Sequence, residues 1–473
     1  MARYQRSYRL WSGGTAVTAV FALGLLGPLT GTVSPAMAAT AASGPVSATP
    51  QTQTPHLLTT APAEQVRQLV QCGTTMYAVG SFTQIKRNST TYTRDNVFSF
   101  KATSPFTVTS WAPAVNGVVN SIAFSGTNCA DAYIGGKFSK VGATTVKDIA
   151  KISTSTGAVV SAFGHTASGE VETLASYQTH IIAGGYYTSV NGSTADPYMT
   201  SLNSTTGKDD GFVQLKISGN YQYPGVASNG TRVYNQALSH GGTLDLVMGD
   251  FTSVGGLPRQ QIFMLSLAGP KAAVTGWTSP QFDGECVTSE PFYIQAAAWS
   301  PDNSTIYIGD TGYHPYDGPI GATARTGLCD AAAAFPAPQA SVTDKWINYS
   351  GCDSMFAAAA DSSAAYFAGH ERWSENPNDC DAQGSGALPA PGLQGVSPSD
   401  GSLLLNAAGT AGKYTRSRGL GADDMLVTSA GLWIASDNGN YATVNNQQVW
   451  QSSQTCGGVS GLAGICFLPY SSN

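Results

Sequence analysis

One motif recurs along this chain of 473 residues and constrains its fold more than any other feature. It appears as MYAVGSFTQI from Met76, DAYIGGKFSKVG from Asp131, HIIAGGYYTSVNG from His180 and LVMGDFTSVGG from Leu246. The second residue of each marker dipeptide falls at the positions Gly80, Gly136, Gly185, Gly249, Gly309, Gly369 and, degenerately, Ser436. A near-constant spacing of about 59 residues indicates a repeat architecture.

Each repeat unit has the pattern of four short strands joined by turns. In the second unit the apolar runs NSIAFS, DAYIGGKF, VKDIAKIST and AVVSAF are separated by polar, Gly-containing turns. Residues 63–473 hold seven such units, so the sequence predicts an all-β fold, a seven-bladed β-propeller of four-stranded antiparallel blades. A β-solenoid is the alternative, although units of this length are long for its coils. We interpret the paired glycines as positions where a side chain would block the neighbouring blade.

The repeat also resembles a known family. The pattern GG.F..V.G......IA.L...TG, clearest at 133–157, 182–207 and 247–267, resembles the delta-60 repeat of secreted bacterial β-propellers. The stretches CDSMFAAAADSSAAYFAGHERW, RSRGLGADDMLVTSAGLWIASDN and CGGVSGLAGICFLPY are similar to actinobacterial members. The resemblance implies the fold and export, but no general reaction. Units five to seven depart from it, because Thr311, Glu371 and Asn438 stand where the marker phenylalanine is expected.

The N-terminal residues have the pattern of a signal peptide over 1–38. Three arginines precede an apolar stretch at 15–29, and AMA at 36–38 has the small-x-small form that signal peptidase accepts. We expect cleavage before Ala39, a secreted, extracellular protein and no membrane insertion after cleavage; an uncleaved membrane anchor is the alternative. Residues 39–62 are rich in Pro and Thr and predict a flexible lead. The propeller is then expected over 63–473.

The eight cysteines all lie in the expected mature chain. An even number in an exported protein indicates disulfides, and sequence alone leaves their connectivity open. We favour pairs of neighbours: Cys72 with Cys129, Cys286 with Cys329, Cys352 with Cys380 and Cys456 with Cys466. Because CxxC is absent, we expect no structural zinc site, and nothing in the sequence indicates a metal or cofactor.

Charge excludes some partners. Only 11 % of the residues are charged, the formal net charge is −6, and Lys and Arg form no clusters. Such a chain is not expected to bind nucleic acid or an anionic membrane surface. We expect a monomer on its own, with an extracellular glycan or protein as its partner.

Ionisable and aromatic residues concentrate in the later loops. In a propeller, the loop after each second strand and the loop before each first strand open on one face. The candidate ligand-binding residues in these loops are Tyr313, His314, Tyr316, Asp317, His370, Glu371, Arg372, Trp373, Arg416, Arg418, Asp423, Asp424, Asp437 and Asn438. Aromatic rings beside carboxylates and arginines suit a sugar, because rings cover C–H faces while planar polar groups bind hydroxyls. A structural role is the alternative, with Trp373 over the blade core and the arginines paired to Asp423 and Asp424.

The sequence favours a binding propeller over an enzyme. HExxH, P-loop and GxSxG motifs are absent. A glycoside hydrolase remains an alternative, with carboxylates among Glu371, Asp423 and Asp424. A copper-radical oxidase also remains, but it needs an unpaired cysteine, which four disulfides would not leave. The third alternative is a scaffold subunit of a secreted assembly.

Overall fold

Antiparallel strands form nearly all of the regular structure in the described part of this chain. The computed structural model describes residues 44–58, 64–127, 129–220, 230–283, 286, 292–312, 327–337, 340–377, 379, 382–419, 421–444, 447–451 and 454–471, without the side chains of 440–451. Within these ranges the single helical segment is the 3-10 turn Pro280–Phe282. The all-β class predicted from the repeat is confirmed. The expected signal peptide lies outside the described residues.

Seven of the described sheets are meanders, in which each strand pairs with the next strand of the same sheet in chain order. Sheets 1 to 4 contain Gln65–Cys72, Thr75–Ser81 and Val97–Lys101; Val118–Ala123, Asp131–Lys137 and Ile149–Ser153; Val171–Tyr177, His180–Gly185 and Met199–Asn203; and Arg232–Leu238, Leu244–Asp250, Ile262–Ser266 and Ala273–Val274. Sheets 5 to 7 contain Phe292–Trp299, Thr305–Gly312, Ala331–Pro336 and Trp346–Tyr349; Met355–Ala360, Ala365–Gly369 and Gln394–Val396; and Ala422–Thr428, Gly431–Ser436 and Ile465–Pro469.

Short ribbons connect the strands of the meanders. They pair His56–Leu57, Gln84–Arg87 and Thr90–Thr93; Lys140–Val141 and Thr144–Thr145; Ile217–Ser218, Ser253–Val254 and Leu257–Pro258; Trp373–Ser374 and Leu388–Pro389; Asn440–Val444 and Gln447–Gln451; and Thr455–Cys456 and Val459–Ser460. Many of them follow a second strand, so the loop at that position is itself a hairpin in several sheets.

The first strands of the meanders adjoin one another in a closed circle. Each contacts the first strand of the next sheet, and Ala422–Thr428 of sheet 7 contacts Gln65–Cys72 of sheet 1. The later strands of each sheet lie progressively outward from this circle, because they pair in chain order. Meanders arranged radially around a central channel are the arrangement of a β-propeller.

The marker positions require glycine for a reason different from the one expected. A Cβ at Gly80 would lie 2.0 Å from the carbonyl oxygen of Gln65, in the first strand of the same sheet. The preceding glycine is the one that faces the neighbouring sheet, since a Cβ at Gly135 would lie 2.5 Å from Cγ1 of Val171. The first strand approaches the marker glycine closely because it bulges there, between Val66 and Gln68 in sheet 1.

Sheet 5 is aligned one residue later than the repeat suggested. Asp310 pairs with Ile294 before the bulge, so Asp310 and not Gly309 occupies the marker position. The position of the marker phenylalanine is then Gly312, whose N–H donates to Oδ1 of Asp330 at 3.0 Å. The same bond joins the marker phenylalanine of sheet 2 to an aspartate. The expectation that Thr311 replaces the phenylalanine was therefore wrong.

The lead before sheet 1 is packed where the structure describes it, although its composition predicts flexibility. The N–H of Ser47 donates to the carbonyl of Pro469 at 2.8 Å, and the N–H of Gln51 donates to that of Phe467 at 2.9 Å. Val46 is fully buried in the core between sheets 6 and 7. These residues therefore lie along the outer edge of sheet 7 and join the beginning of the described chain to its end.

Hydrophobic cores lie between successive sheets. One cluster combines sheets 4 and 5 around Trp277, and another combines sheets 1 and 7 around Trp433. Two tryptophans also bond across these interfaces: Nε1 of Trp111 donates to the carbonyl of Ser153 at 3.0 Å, and Nε1 of Trp277 to that of Pro336 at 3.1 Å. Each ring thus seals the outer part of an interface while its single polar atom is satisfied.

Three of the four expected disulfides are confirmed. They join Cys72 to Cys129, Cys286 to Cys329 and Cys456 to Cys466. The fourth pair includes Cys380, which lies outside the described residues. None of the cysteines that the structure describes is free.

Among the described residues, no helix is long and apolar enough to cross a lipid bilayer.

Candidate functional site

Every first strand contains a β-bulge at the same place. In each sheet the pairing with the second strand shifts by one residue, and one residue of the first strand is left out of the register. We call these seven the channel residues: Arg67, Asn120, Glu172, Tyr234, Gln295, Phe356 and Asp423. Because a bulge re-aims the side chain of its extra residue, the seven side chains point in a direction different from that of the regularly paired residues beside them.

The channel residues line two adjoining cavities. The first, of about 320 Å³, is lined from sheets 1 to 4 and sheet 7, and the second, of about 440 Å³, is lined from sheets 4 to 7. They share Arg232, Tyr234, Asn235 and Asp423. Since the first strands of all seven meanders contribute, the two cavities together occupy the centre of the ring of sheets, which we call the channel.

A chain of hydrogen bonds covers one side of the channel. Nη1 of Arg67 donates to Oδ1 of Asn120 at 2.7 Å, and Nδ2 of Asn120 donates to Oε1 of Glu170 at 2.8 Å. Farther round, Nη1 of Arg232 lies 3.1 Å from Oε1 of Glu172. Both arginines are thus held in place on sheets 1 and 4, and they present polar groups to the cavity rather than loose side chains.

Aromatic rings cover the other side of the channel. The second cavity is lined by Tyr234, Tyr293 and Phe356, all half-buried, together with Gln295 and Asp423. The hydroxyl of Tyr234 donates to the carbonyl of Ile294 at 2.6 Å, which fixes the ring against sheet 5. The channel therefore has a hydrogen-bonding side and an apolar aromatic side, a combination typical of small-molecule sites.

Asp423 lines both cavities of the channel. Burial raises the pKa of its carboxyl to about 7, while the positive charge of Arg67 acts in the opposite direction. Its Oδ2 is shielded from solvent and has no hydrogen-bond partner among the described residues. The neighbouring Asp424 differs, since its Oδ2 accepts a hydrogen bond from the N–H of Leu69 at 3.0 Å. Burial raises the pKa of Asp424 to about 6.

In several sheets, the side chain of the residue after the bulge links its sheet to the next one. Asp424 makes this link from sheet 7 to sheet 1 through the N–H of Leu69. Equivalent bonds join sheets 1 and 2 and sheets 2 and 3: Oε1 of Gln68 accepts from the N–H of Ile122 at 2.7 Å, and Oγ of Ser121 accepts from that of Leu174 at 3.0 Å. These bonds fix the first strands relative to one another, and with them the channel residues.

Arg372, in the loop after the second strand of sheet 6, and Arg418, in the loop before sheet 7, are bound to the same buried acid. Nε of Arg372 lies 2.7 Å from Oδ2 of Asp353, and Nη2 of Arg418 lies 3.1 Å from Oδ1 of the same side chain. Arg418 also donates to the carbonyl of His370. The loops around sheets 6 and 7 therefore do meet, but Asp353, which was not among the candidates, is the residue that joins them.

Arg416 does not pair with Asp423 or Asp424 as the structural alternative expected. Its Nη2 lies 2.7 Å from Oδ1 of Asp437, and both side chains are buried. Asp423 and Asp424 lie in the first strand Ala422–Thr428 of sheet 7 and not in the loop before it, so that part of the expectation was wrong. Asn438 is also buried, and its N–H donates to the carbonyl of Glu64.

The remaining candidates differ in exposure. Glu371 is fully buried, whereas Trp373 is half-buried in a two-residue ribbon. The ring of His370 contacts Phe356 edge-on at 5.1 Å, which places it behind the aromatic side of the channel. Tyr313, His314, Tyr316 and Asp317 lie outside the described residues. Whether any of these residues binds a ligand stays a prediction.

Sequence reasoning missed all the channel residues except Asp423. A signal was present, because the first strands share a short pattern: VRQL from Val66, VNSI from Val119, VETL from Val171 and ADDM from Ala422. The second letter of each is the channel residue, and the third is usually the linking one. In the described ranges, no group of three or more His, Cys, Asp and Glu side chains is arranged to hold a metal ion.

Comparisons with known proteins add little. No protein-family model and no curated protein matches the chain. Similar solved structures include one of U3-55K, with 10% identity, a TM-score of 0.47 and coverage of 89% of this chain and 100% of that one. Another is the hydrazine synthase of Kuenenia stuttgartiensis, with 9% identity, a TM-score of 0.46 and coverage of 83% and 97%. A third is the WD40 β-propeller domain of Doa1, with 13% identity, a TM-score of 0.40 and coverage of 84% and 94%. These likenesses are too distant to identify a family.

Proposed function

We propose that this protein is a secreted, seven-bladed β-propeller that binds an extracellular carbohydrate in its channel. Each meander is one blade in this proposal, and the mature chain begins at Ala39 and acts as a monomeric interaction module. The delta-60-like repeat and the three disulfides support export. N-terminal sequencing of the secreted protein checks the cleavage site.

The observation that carries the proposal is the composition of the channel. Three aromatic rings stand on one side of it, while Arg232, Asn235 and Gln295 provide fixed polar groups. A sugar has the complementary chemistry, because its C–H faces pack on aromatic rings and its hydroxyls both donate and accept hydrogen bonds. Cavities of about 320 and 440 Å³ suit one to a few sugar rings.

The loop candidates of sheets 6 and 7 support this site indirectly. Arg372, Arg416 and Arg418 are bound to the buried acids Asp353 and Asp437. These contacts brace the first strands of sheets 6 and 7, which provide Phe356 and Asp423 to the channel. A ligand is therefore expected inside the channel, on side chains held by rigid strands.

A glycan array with the mature protein tests the proposal. We expect selective binding, and we expect Tyr293→Ala and Phe356→Ala each to weaken it about fivefold, because one stacked ring contributes on the order of 1 kcal/mol. The matched control is Leu405→Ala, since this apolar residue is 43% exposed and lies outside the channel. Binding to no glycan, or binding that both channel variants leave unchanged, would contradict the proposal.

A second candidate function is hydrolysis of a glycosidic bond. Asp423 and Glu172 line the same cavity, and burial keeps the pKa of Asp423 near 7, as a general acid requires. If the protein is a hydrolase, Asp423→Asn and Glu172→Gln abolish turnover of a bound oligosaccharide while the oligosaccharide still binds. Intact oligosaccharide after prolonged incubation with the wild-type protein contradicts this candidate.

A further inference from the structure

Asp423 stands apart from the other polar channel residues. It makes no hydrogen bond or ion pair within the described part of the chain, whereas Arg67, Asn120 and Glu172 each do. It is also the acidic side chain that lines both cavities. A carboxylate in this position is free to bind a ligand without first losing a protein contact.

Acidic side chains outnumber cationic ones in the lining of the first cavity. The ionisable side chains that line its first cavity are the two cations Arg67 and Arg232 and the four acids Glu170, Glu172, Asp423 and Asp424, a formal surplus of two negative charges. Arg232 is paired with the carboxylate of Glu172, and Arg67 donates a hydrogen bond to the neutral amide of Asn120. The surplus of acids therefore favours a cationic sugar over an anionic one.

The aromatic side is also suited to a cation. The guanidinium of Arg232 lies 5.5 Å from the centroid of the Tyr234 ring, so one face of that ring already accepts a positive charge. Phe356 and Tyr293 line the same cavity as Asp423. Ring faces beside a carboxylate attract an organic ammonium group through the ring quadrupole and through its charge.

From this arrangement we infer that the ligand in the channel is a cationic amino sugar, whose protonated amine binds Asp423 while its ring packs on Phe356 and Tyr293. The inference rests on the proposed function, because it names the class of carbohydrate that this site takes. Burial raises the pKa of Asp423 to about 7, and an amine partner offsets this unfavourable burial of charge.

Three oligosaccharides that differ at one atom position test the inference. Hexamers of β-1,4-linked glucosamine, N-acetylglucosamine and glucose carry an amine, an acetamide and a hydroxyl at C2, on the same backbone. We expect calorimetry at neutral pH and low salt to give about tenfold or tighter binding for the amine hexamer than for the other two, the equivalent of about 1.4 kcal/mol. The preference should shrink at high salt, because it is electrostatic.

Three variants separate the effect of Asp423 from that of the overall negative charge. Asp423→Asn should reduce the preference for the amine to less than about twofold and leave the weak binding of the glucose hexamer unchanged. Asp400→Asn is the control, because this exposed aspartate in a turn after sheet 6 carries the same charge and lies outside the channel. It should keep the full preference. Asp423→Glu keeps the charge and should keep most of it.

The outcomes separate the inference from the proposed function. If the acetylated or neutral hexamer binds as well as the amine hexamer, and Phe356→Ala still removes that binding, the inference is wrong and the carbohydrate site stands. If none of the hexamers binds and the glycan array is also empty, both are wrong. An amine preference that Asp423→Asn leaves intact likewise overturns the inference.

Discussion

Nη2 of Arg416 lies 2.7 Å from Oδ1 of Asp437, and the two side chains are only 1% and 0% exposed. Nε2 of Gln454 donates to the same oxygen at 2.6 Å. The pair joins the loop before sheet 7 to the end of that sheet's second strand. Because water is excluded from it, each charge depends on the other for compensation.

Removing one partner of this pair should destabilise the protein strongly. We expect Arg416→Leu to lower the free energy of unfolding by about 3–5 kcal/mol, because Asp437 is left buried and uncompensated. Denaturant unfolding measures the loss, and adding Asp437→Asn to the variant should recover part of it. The exposed Lys137→Ala serves as the control. A variant that keeps its stability but loses glycan binding would instead support the ligand role predicted from sequence.

Glu371 should make stability depend on pH. Its side chain is fully buried at the position that an aromatic ring occupies in sheets 1 to 4. Neither of its carboxyl oxygens has a hydrogen-bond partner in the described residues. Burial raises its pKa from 4.5 to about 8. Between these values the unfolded chain loses a proton that the folded protein keeps, so the free energy of unfolding falls as the pH rises.

The variant Glu371→Gln removes this titration. Relative to wild type, its free energy of unfolding should therefore rise as the pH increases from 5 to 8, by at most about 1.4 kcal/mol per pH unit, and then level off. Denaturant unfolding at a series of pH values measures the difference. A difference that stays constant across this range would show that Glu371 is ionised throughout.

The packed lead should contribute to stability. A chain that begins at residue 52 lacks the backbone bonds of Ser47 and Gln51 and the buried Val46, so it should melt lower than a chain that begins at residue 44. It also leaves the hydroxyl of Tyr414 without the carbonyl of Val46, to which it donates at 2.9 Å. Equal melting temperatures for the two proteins would instead indicate that the lead is flexible, as its composition predicts.

The disulfide between Cys72 and Cys129 should stabilise the junction of sheets 1 and 2. It spans 57 residues, and replacing both cysteines by alanine should cost about 2–5 kcal/mol. Counting thiols on the denatured, unreduced wild-type protein should find none. A free thiol would support the alternative that the protein is a copper-radical oxidase, since such an enzyme requires an unpaired cysteine.

The strands and three disulfides could be predicted from the sequence because both follow from local patterns. Apolar runs between Gly and Asn mark hairpins, and Cys72 and Cys129 occupy nearby places in successive units. The blade count of seven stays a prediction. The shifted register of sheet 5 could not be predicted, since Gly309 fits the marker position as well as Asp310 until the pairing with Ile294 is known.

The channel, unlike the loop candidates, was not predicted from the sequence, for a physical reason. Sequence composition draws attention to loops rich in charge, and the arginines there turn out to be bound to Asp353 and Asp437. The direction of Arg67 or Phe356 depends on a bulge, which is a relation between two strands and leaves only a weak trace in one of them.

By itself, the sequence determined an all-β chain of repeated hairpins with cysteines placed to pair, because strand periodicity, turn residues and spacing are local properties. Only the tertiary structure decided what lies at the centre. The bulge that directs Asp423 into the channel, the backbone pairing that packs Val46 against sheet 7 and the burial that raises the pKa of Glu371 all arise from contacts between distant residues. Such contacts form when the ring of sheets closes, and no stretch of sequence encodes them alone.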